Sequence, residues 1–89
     1  SGGPVDPLID GLARTRFRAQ AFGYLLEVAP GRAAQIGVHI QDPDARVRLD
    51  LVDILMLSRD EGGVPALERL VRDPVADVAR AAGRAIFRL

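Results

Sequence analysis

The chain has no cysteine, no tryptophan and no lysine, and its 89 residues include a single histidine. The missing cysteine excludes disulfides, thiolate nucleophiles and thiolate-held metals, and it leaves the redox compartment open. Without lysine, all twelve basic residues are arginine, balanced by twelve acidic ones. A formal net charge of zero supplies no global field toward nucleic acid or an anionic membrane. The four aromatics are Phe17, Phe22, Tyr24 and Phe87. A core must therefore come from Leu, Val, Ile and Ala, which suits close helix packing. No apolar run approaches the ~18 residues of a membrane span. No segment alternates apolar and polar residues as a half-buried strand does, so no sheet is expected.

At 48% hydrophobic and 27% charged, what remains is the composition of a folded chain. One small domain over 4–89 is expected. Ser1-Gly2-Gly3 reads as a cloning remnant and not a signal peptide. Richness in Arg, Ala, Gly, Val and Asp suggests a GC-rich bacterial coding bias. By elimination, the expected location is the cytoplasm.

The dominant pattern is a repeat. Asp42-Pro43-Asp44-Ala45-Arg46-Val47-Arg48 returns 31 residues later as Asp73-Pro74-Val75-Ala76-Asp77-Val78-Ala79. A weaker echo lies 30 residues earlier, where Arg16-Phe17-Arg18 matches Arg46-Val47-Arg48. Such a period means one supersecondary unit used three times, over about 5–29, 30–59 and 60–89. Each unit reads as a short helix followed by a longer one.

In the first unit, Asp6-Pro7 starts a short helix carrying Leu8, Ile9 and Leu12. Thr15 is a candidate cap for the next helix, where Phe17, Ala21, Tyr24, Leu25 and Val28 fall at helical spacing. Pro30-Gly31 ends it. A short helix over 32–40 carries Ala33, Ile36 and Ile40, and Asp42-Pro43 repeats the cap-then-proline start. The helix over 43–58 is apolar around most of its circumference, so it should be the most buried element. A third short helix begins near Val64-Pro65, and Asp73-Pro74 opens the last, with Val78, Ala82, Ala85 and Ile86 facing inward.

The two Asp-Pro openings and the ladders Val47, Leu51, Leu55 and Val78, Ala82, Ile86 give the chain a likeness to a known family. It resembles the HEAT-like repeats, in the short bacterial form also called PBS-lyase-like HEAT repeats. The first repeat has Leu12-Ala13 where the Asp-Pro opening would stand, and the third has Ala79 where the pattern carries Arg. The resemblance implies an all-α fold, a short right-handed α-solenoid of three helical hairpins and six helices. It also implies that the longer helices line a concave face where partners bind, with stacking between units supplying the core.

The repeat register then names the side chains expected on that face: Arg46, Asp50, Asp53 and Leu57 on the middle long helix. The matching positions are Arg16, Gln20, Gly23 and Glu27 before it, and Asp77, Ala81, Arg84 and Arg88 after it. Arg16, Gln20, Arg46, Asp50, Asp53, Asp77, Arg84 and Arg88 are the expected partner-binding residues. The competing reading is an ordinary solvated face with Arg46 and Asp50 paired at i, i+4. Arg18 and Arg48, each following an apolar residue expected to be buried (Phe17, Val47), are expected to reach Asp42 and Asp73 as bridges between repeats.

The expected function is therefore a non-enzymatic protein–protein interaction or scaffold module of a larger bacterial regulatory protein, needing no cofactor and binding no membrane. One alternative is a nucleic-acid binder using Arg14, Arg16, Arg18, Arg46 and Arg48, with Asp42, Asp44, Asp50 and Asp53 cancelling much of that field. Another is a lyase accessory fragment. Catalytic signals are sparse. His39 with Asp42 and Asp44 is a metal set of irregular spacing, and a solvated helix-end histidine is the simpler reading. Serine occurs only at 1 and 58, with no histidine near Ser58 to activate it. Phe87 and Leu89 close the sequence without a polar cap, which suggests an excised part of a longer chain or self-association through an end face.

Overall fold

The computed structural model describes residues 5–14 and 16–89. Thr15 and residues 1–4, among them the expected Ser1-Gly2-Gly3 remnant, lie outside the described residues. Six helices follow one another: α1 Val5–Leu12, α2 Arg18–Val28, α3 Ala33–Gly37, α4 Ala45–Leu57, α5 Val64–Leu70 and α6 Ala76–Ile86. A 3₁₀ turn over Glu61–Gly63 leads into α5. No strand occurs among the described residues, and the fold class is all-α. Helices of 8, 5 and 7 residues alternate with longer ones of 11, 13 and 11.

The period of 31 is written into the backbone. It separates the starts of α3 and α5 and the starts of α4 and α6. It also separates two local hydrogen bonds: Asp42 Oδ1 accepts from the Asp44 amide, and Asp73 Oδ1 from the Val75 amide, each at 2.9 Å. These bonds correct the expected role of the Asp-Pro pairs. Proline restrains the residue before it to extended backbone, and the aspartate carboxylate takes the amide two residues on. The pair therefore builds a turn, and the helix begins only after it. Asp44 itself caps α4 by accepting from the Arg46 amide, whereas Val75 opens α6 with no side-chain cap bond. Likewise α1 starts at Val5, so Asp6 and Pro7 lie within its first turn.

Helix α4 is the centre of the packing, touching α1, α2, α3, α5 and α6. Its inner side buries Val47, Leu51, Val52, Ile54 and Leu55, and each such side chain removed from water is worth about 1.5–3 kcal/mol. In α6 the corresponding stripe is Val78, Ala82 and Ala85, at the same helix positions as Val47, Leu51 and Ile54. The thinner side chains suit the close packing of α6 on α4 and α5. Helix α3 lies beside α5 and the 3₁₀ turn, as α4 lies beside α6. Two polar links join corresponding corners of these units. The Gly31 amide donates to Asp60 Oδ2 at 3.0 Å, and Arg48 bonds to Asp73.

The first unit departs from the pattern. Helix α2 begins at Arg18, which aligns with Arg48, the fourth residue of α4, so α2 lacks one turn at its start. Phe17 consequently sits at the N-cap, 47% exposed with the Arg16 guanidinium 5.8 Å from its ring centroid, and does not share the burial of Val47. Tyr24 is also half exposed, while Ala21 and Leu25 are buried. At the other end Phe87 is 93% exposed, whereas Leu89 packs partly against the core.

Two sets of substitutions test this packing by urea unfolding. Leu51→Ala should cost about 2–5 kcal/mol, because the fully buried site has neighbours on several sides. Gly83→Ala, at a helical position where an added Cβ meets open space, should raise stability by about 0.5–1 kcal/mol. Gly11→Ala should lower it, because the new Cβ would lie 3.0 Å from that of Ala21 across the α1–α2 contact.

Candidate functional site

Helix α4 packs against both α2 and α6, and charged residues of α2 and α4 meet around an open hollow of about 320 Å³. Arg18, Ala19 and Phe22 from α2 and Asp50 and Asp53 from α4 line it. Arg18 donates from Nε to Asp50 Oδ2 at 2.9 Å and from Nη2 to Asp50 Oδ1 at 2.6 Å, a two-point fork that fixes both groups. Asp50 is 3% exposed, so the pair forms a wall and not a free acid. That hydrogen bond, more than the neighbouring charges, keeps the Arg18 guanidinium more firmly protonated than usual, against the cost of burial.

Asp53, one turn along α4, is half-buried and accepts no hydrogen bond from the described residues. Burial raises its carboxyl above the ordinary value, and the nearby Asp50 charge adds to the rise; Arg18 and Arg84 oppose it. This hollow thus holds a partly dry carboxylate whose charge is balanced at a distance and not by contact.

The expected binding residues separate into groups. Asp53 lines this hollow, and Arg84, exposed on α6, acts on it only through its charge. Asp50 is withdrawn into the Arg18 bridge and is not available to a partner. Gln20 lines a different hollow, between α1 and α2, with Phe17, Tyr24 and Arg14. Arg16 is exposed above Phe17, and Asp77 pairs with Arg80 on the surface of α6. Arg46 and Arg88 are exposed. Arg18 and Phe22 were absent from the expected set. Their place follows from the late start of α2, which puts Arg18 opposite the middle of α4 instead of the Asp42 turn.

Arg48 does reach Asp73, as the repeat suggested. Its Nε and Nη2 donate to the two carboxylate oxygens at 2.7 and 3.2 Å, and Nη1 donates to the Asp42 carbonyl at 2.6 Å. One guanidinium thus ties together the two Asp-Pro turns. Burial would raise the Asp73 carboxyl, but the bonds from Arg48 and the Val75 amide, with the Arg48 charge, bring it below the ordinary carboxylate value.

The remaining polar candidates have structural partners. His39 Nε2 lies 2.7 Å from Asp6 Oδ1, joining the turn after α3 to α1, which corrects the reading of a solvated histidine. Ser58 donates to the Leu55 carbonyl at the end of α4. No group of three or more His, Cys, Asp or Glu suited to a metal exists among the described residues, so the His39–Asp42–Asp44 set does not assemble. No helix among them is long and apolar enough to cross a membrane. No protein-family model matches the chain, and no curated protein or solved structure is significantly similar to it.

The two shifted carboxylates give opposite pH signatures. Asp73 titrates lower in the fold than in the unfolded chain, so its stabilisation is fully present above the unfolded value (about 3.9) and is lost as pH falls through its folded value. Asp73→Ala should cost about 3–5 kcal/mol at neutral pH by stranding buried Arg48, and the deficit should shrink in acid. Asp53 titrates higher in the fold, so its contribution is fully present only below the unfolded value and is lost as pH rises through its folded value. Asp53→Asn should therefore stabilise the protein at neutral pH and make no difference below about pH 3.9. Urea midpoints measured across pH test both.

Proposed function

We propose that the chain is a HEAT-like α-solenoid unit whose α2–α4–α6 side docks a protein partner, as a non-enzymatic interaction module of a larger bacterial protein. The reading is supported by the 31-residue recurrence of helices, turns and links between units, the economy of a stacked-repeat fold. The observation that carries the docking role is Asp53, half-buried beside the Phe22 ring and short of a hydrogen-bond donor. An approaching segment can supply that donor while covering apolar surface. Arg84 and the Arg18–Asp50 wall then set which charge patterns fit, giving specificity more than raw affinity.

The nucleic-acid alternative is weakened by the pairing of its arginines. Arg14 bonds to Asp10, Arg18 to Asp50 and Arg48 to Asp73, so three members of the cluster face carboxylates instead of forming a bare stripe. Catalysis has no arrangement in its favour, since Ser58 and His39 are each engaged in holding local structure.

The test is affinity capture followed by a binding measurement on the purified partner. Asp53→Ala combined with Arg84→Glu should weaken binding by about tenfold or more while the circular dichroism stays near wild type. Undiminished binding by a folded variant would overturn the docking role of this face.

A further inference from the structure

A second hollow, of about 280 Å³, lies where α4, α5 and the turn before α6 meet. Arg48, Arg69 and Arg72 line it with Ile40, Leu70, Pro74 and Asp73. Its charge is lopsided. Arg48 neutralises Asp73, while Arg69 and Arg72 are exposed and have no ion-pair or hydrogen-bond partner for their side chains among the described residues. The lining therefore carries a surplus of two positive charges on a molecule whose total is zero.

Arg48 adds a fixed element to this exposed pair. A guanidinium has five N–H donors, and the bonds to Asp73 and the Asp42 carbonyl use three. The two left over belong to a nearly buried side chain held rigid by those same bonds. Ile40 and Leu70, both buried and apolar, line the same hollow, so its lining is apolar as well as cationic. Arg69 and Arg72 are three residues apart at the end of α5, close enough to converge on one ligand.

We propose that this hollow binds a phosphate monoester, its dianionic head forked by Arg69 and Arg72 above the spare donors of Arg48. Planar guanidinium forks match phosphate oxygens at two points each, and a doubly negative head meets the surplus of the lining. A monocarboxylate offers half that charge and one fewer acceptor oxygen. The organic part of the ester would lie along Ile40, Leu70 and Pro74. Inorganic phosphate carries the same dianionic head without the organic part, and a phosphorylated side chain carries both. This site is separate from the α2–α4–α6 face and does not depend on the docking proposed there.

The experiment is a titration of the whole chain with inorganic phosphate, O-phosphoserine and acetate, followed by NMR on the arginine Nε–H and backbone amide signals at low salt. Saturable shifts centred on Arg69 and Arg72 are expected with both phosphates, weakening with added salt, and acetate should bind at least about tenfold more weakly. Tighter binding of O-phosphoserine would assign the site to an esterified phosphate, and equal binding would assign recognition to the phosphate head. The exposed substitutions Arg69→Gln and Arg72→Gln should each weaken binding by about threefold to tenfold, with the rest of the spectrum unchanged. Shifts that fail to saturate, that acetate reproduces, or that persist in the doubly substituted chain would overturn the proposal.

Discussion

The bond network of Arg48 is the constraint on which the upper part of this fold depends. A guanidinium that is 9% exposed would be costly to bury alone, and so would the Asp73 carboxylate. Their fork, with the Asp42 carbonyl as third acceptor, satisfies both groups and fixes the distance between two turns 31 residues apart. With that distance set, α6 falls against α4, and Val78, Ala82 and Ala85 meet the large side chains of the central helix. Hydrophobic burial supplies the drive, and the polar link selects the register in which it happens.

The Arg18–Asp50 fork holds α2 against α4 in the first half of the molecule, with a different partner because α2 starts a turn late. The geometry of the hollow between α2 and α4 follows from that difference. Because Arg18 meets Asp50 instead of the Asp42 turn, the Asp50 carboxylate is neutralised where it lies buried. With Asp50 drawn inside, its charge stays close to Asp53, and the neighbouring carboxylate becomes the conspicuous group of the face.

Much of this was legible in the sequence where local chemistry repeats. The recurrence of the Asp-Pro pairs (though not their role as turns instead of helix starts), the apolar ladders of α4 and α6 and the short-then-longer order all depend on residues within one or two helical turns of each other. The Arg48–Asp73 bridge was legible for the same reason, since both ends sit at fixed places in the repeat. What escaped were features set by how one helix meets another. A triplet match placed Phe17 with Val47 but could not report that α2 begins only at Arg18. Helical spacing put Asp50 on a stripe, yet whether a neighbour covers that stripe depends on a residue 32 positions away. Arg69 and Arg72 attracted no notice because exposed arginines have no periodic signature. Their significance comes from the depression they border.

The link at the junction of α4 and α6 has a direction. The earlier unit contributes the cation and the later one the anion, and at the position equivalent to Arg48 the last unit has Ala79, whose methyl group donates nothing. The latch can thus close once between these units but cannot be handed onward. A surface that meets the far side of α5 and α6 therefore finds no counterpart of this link at position 79.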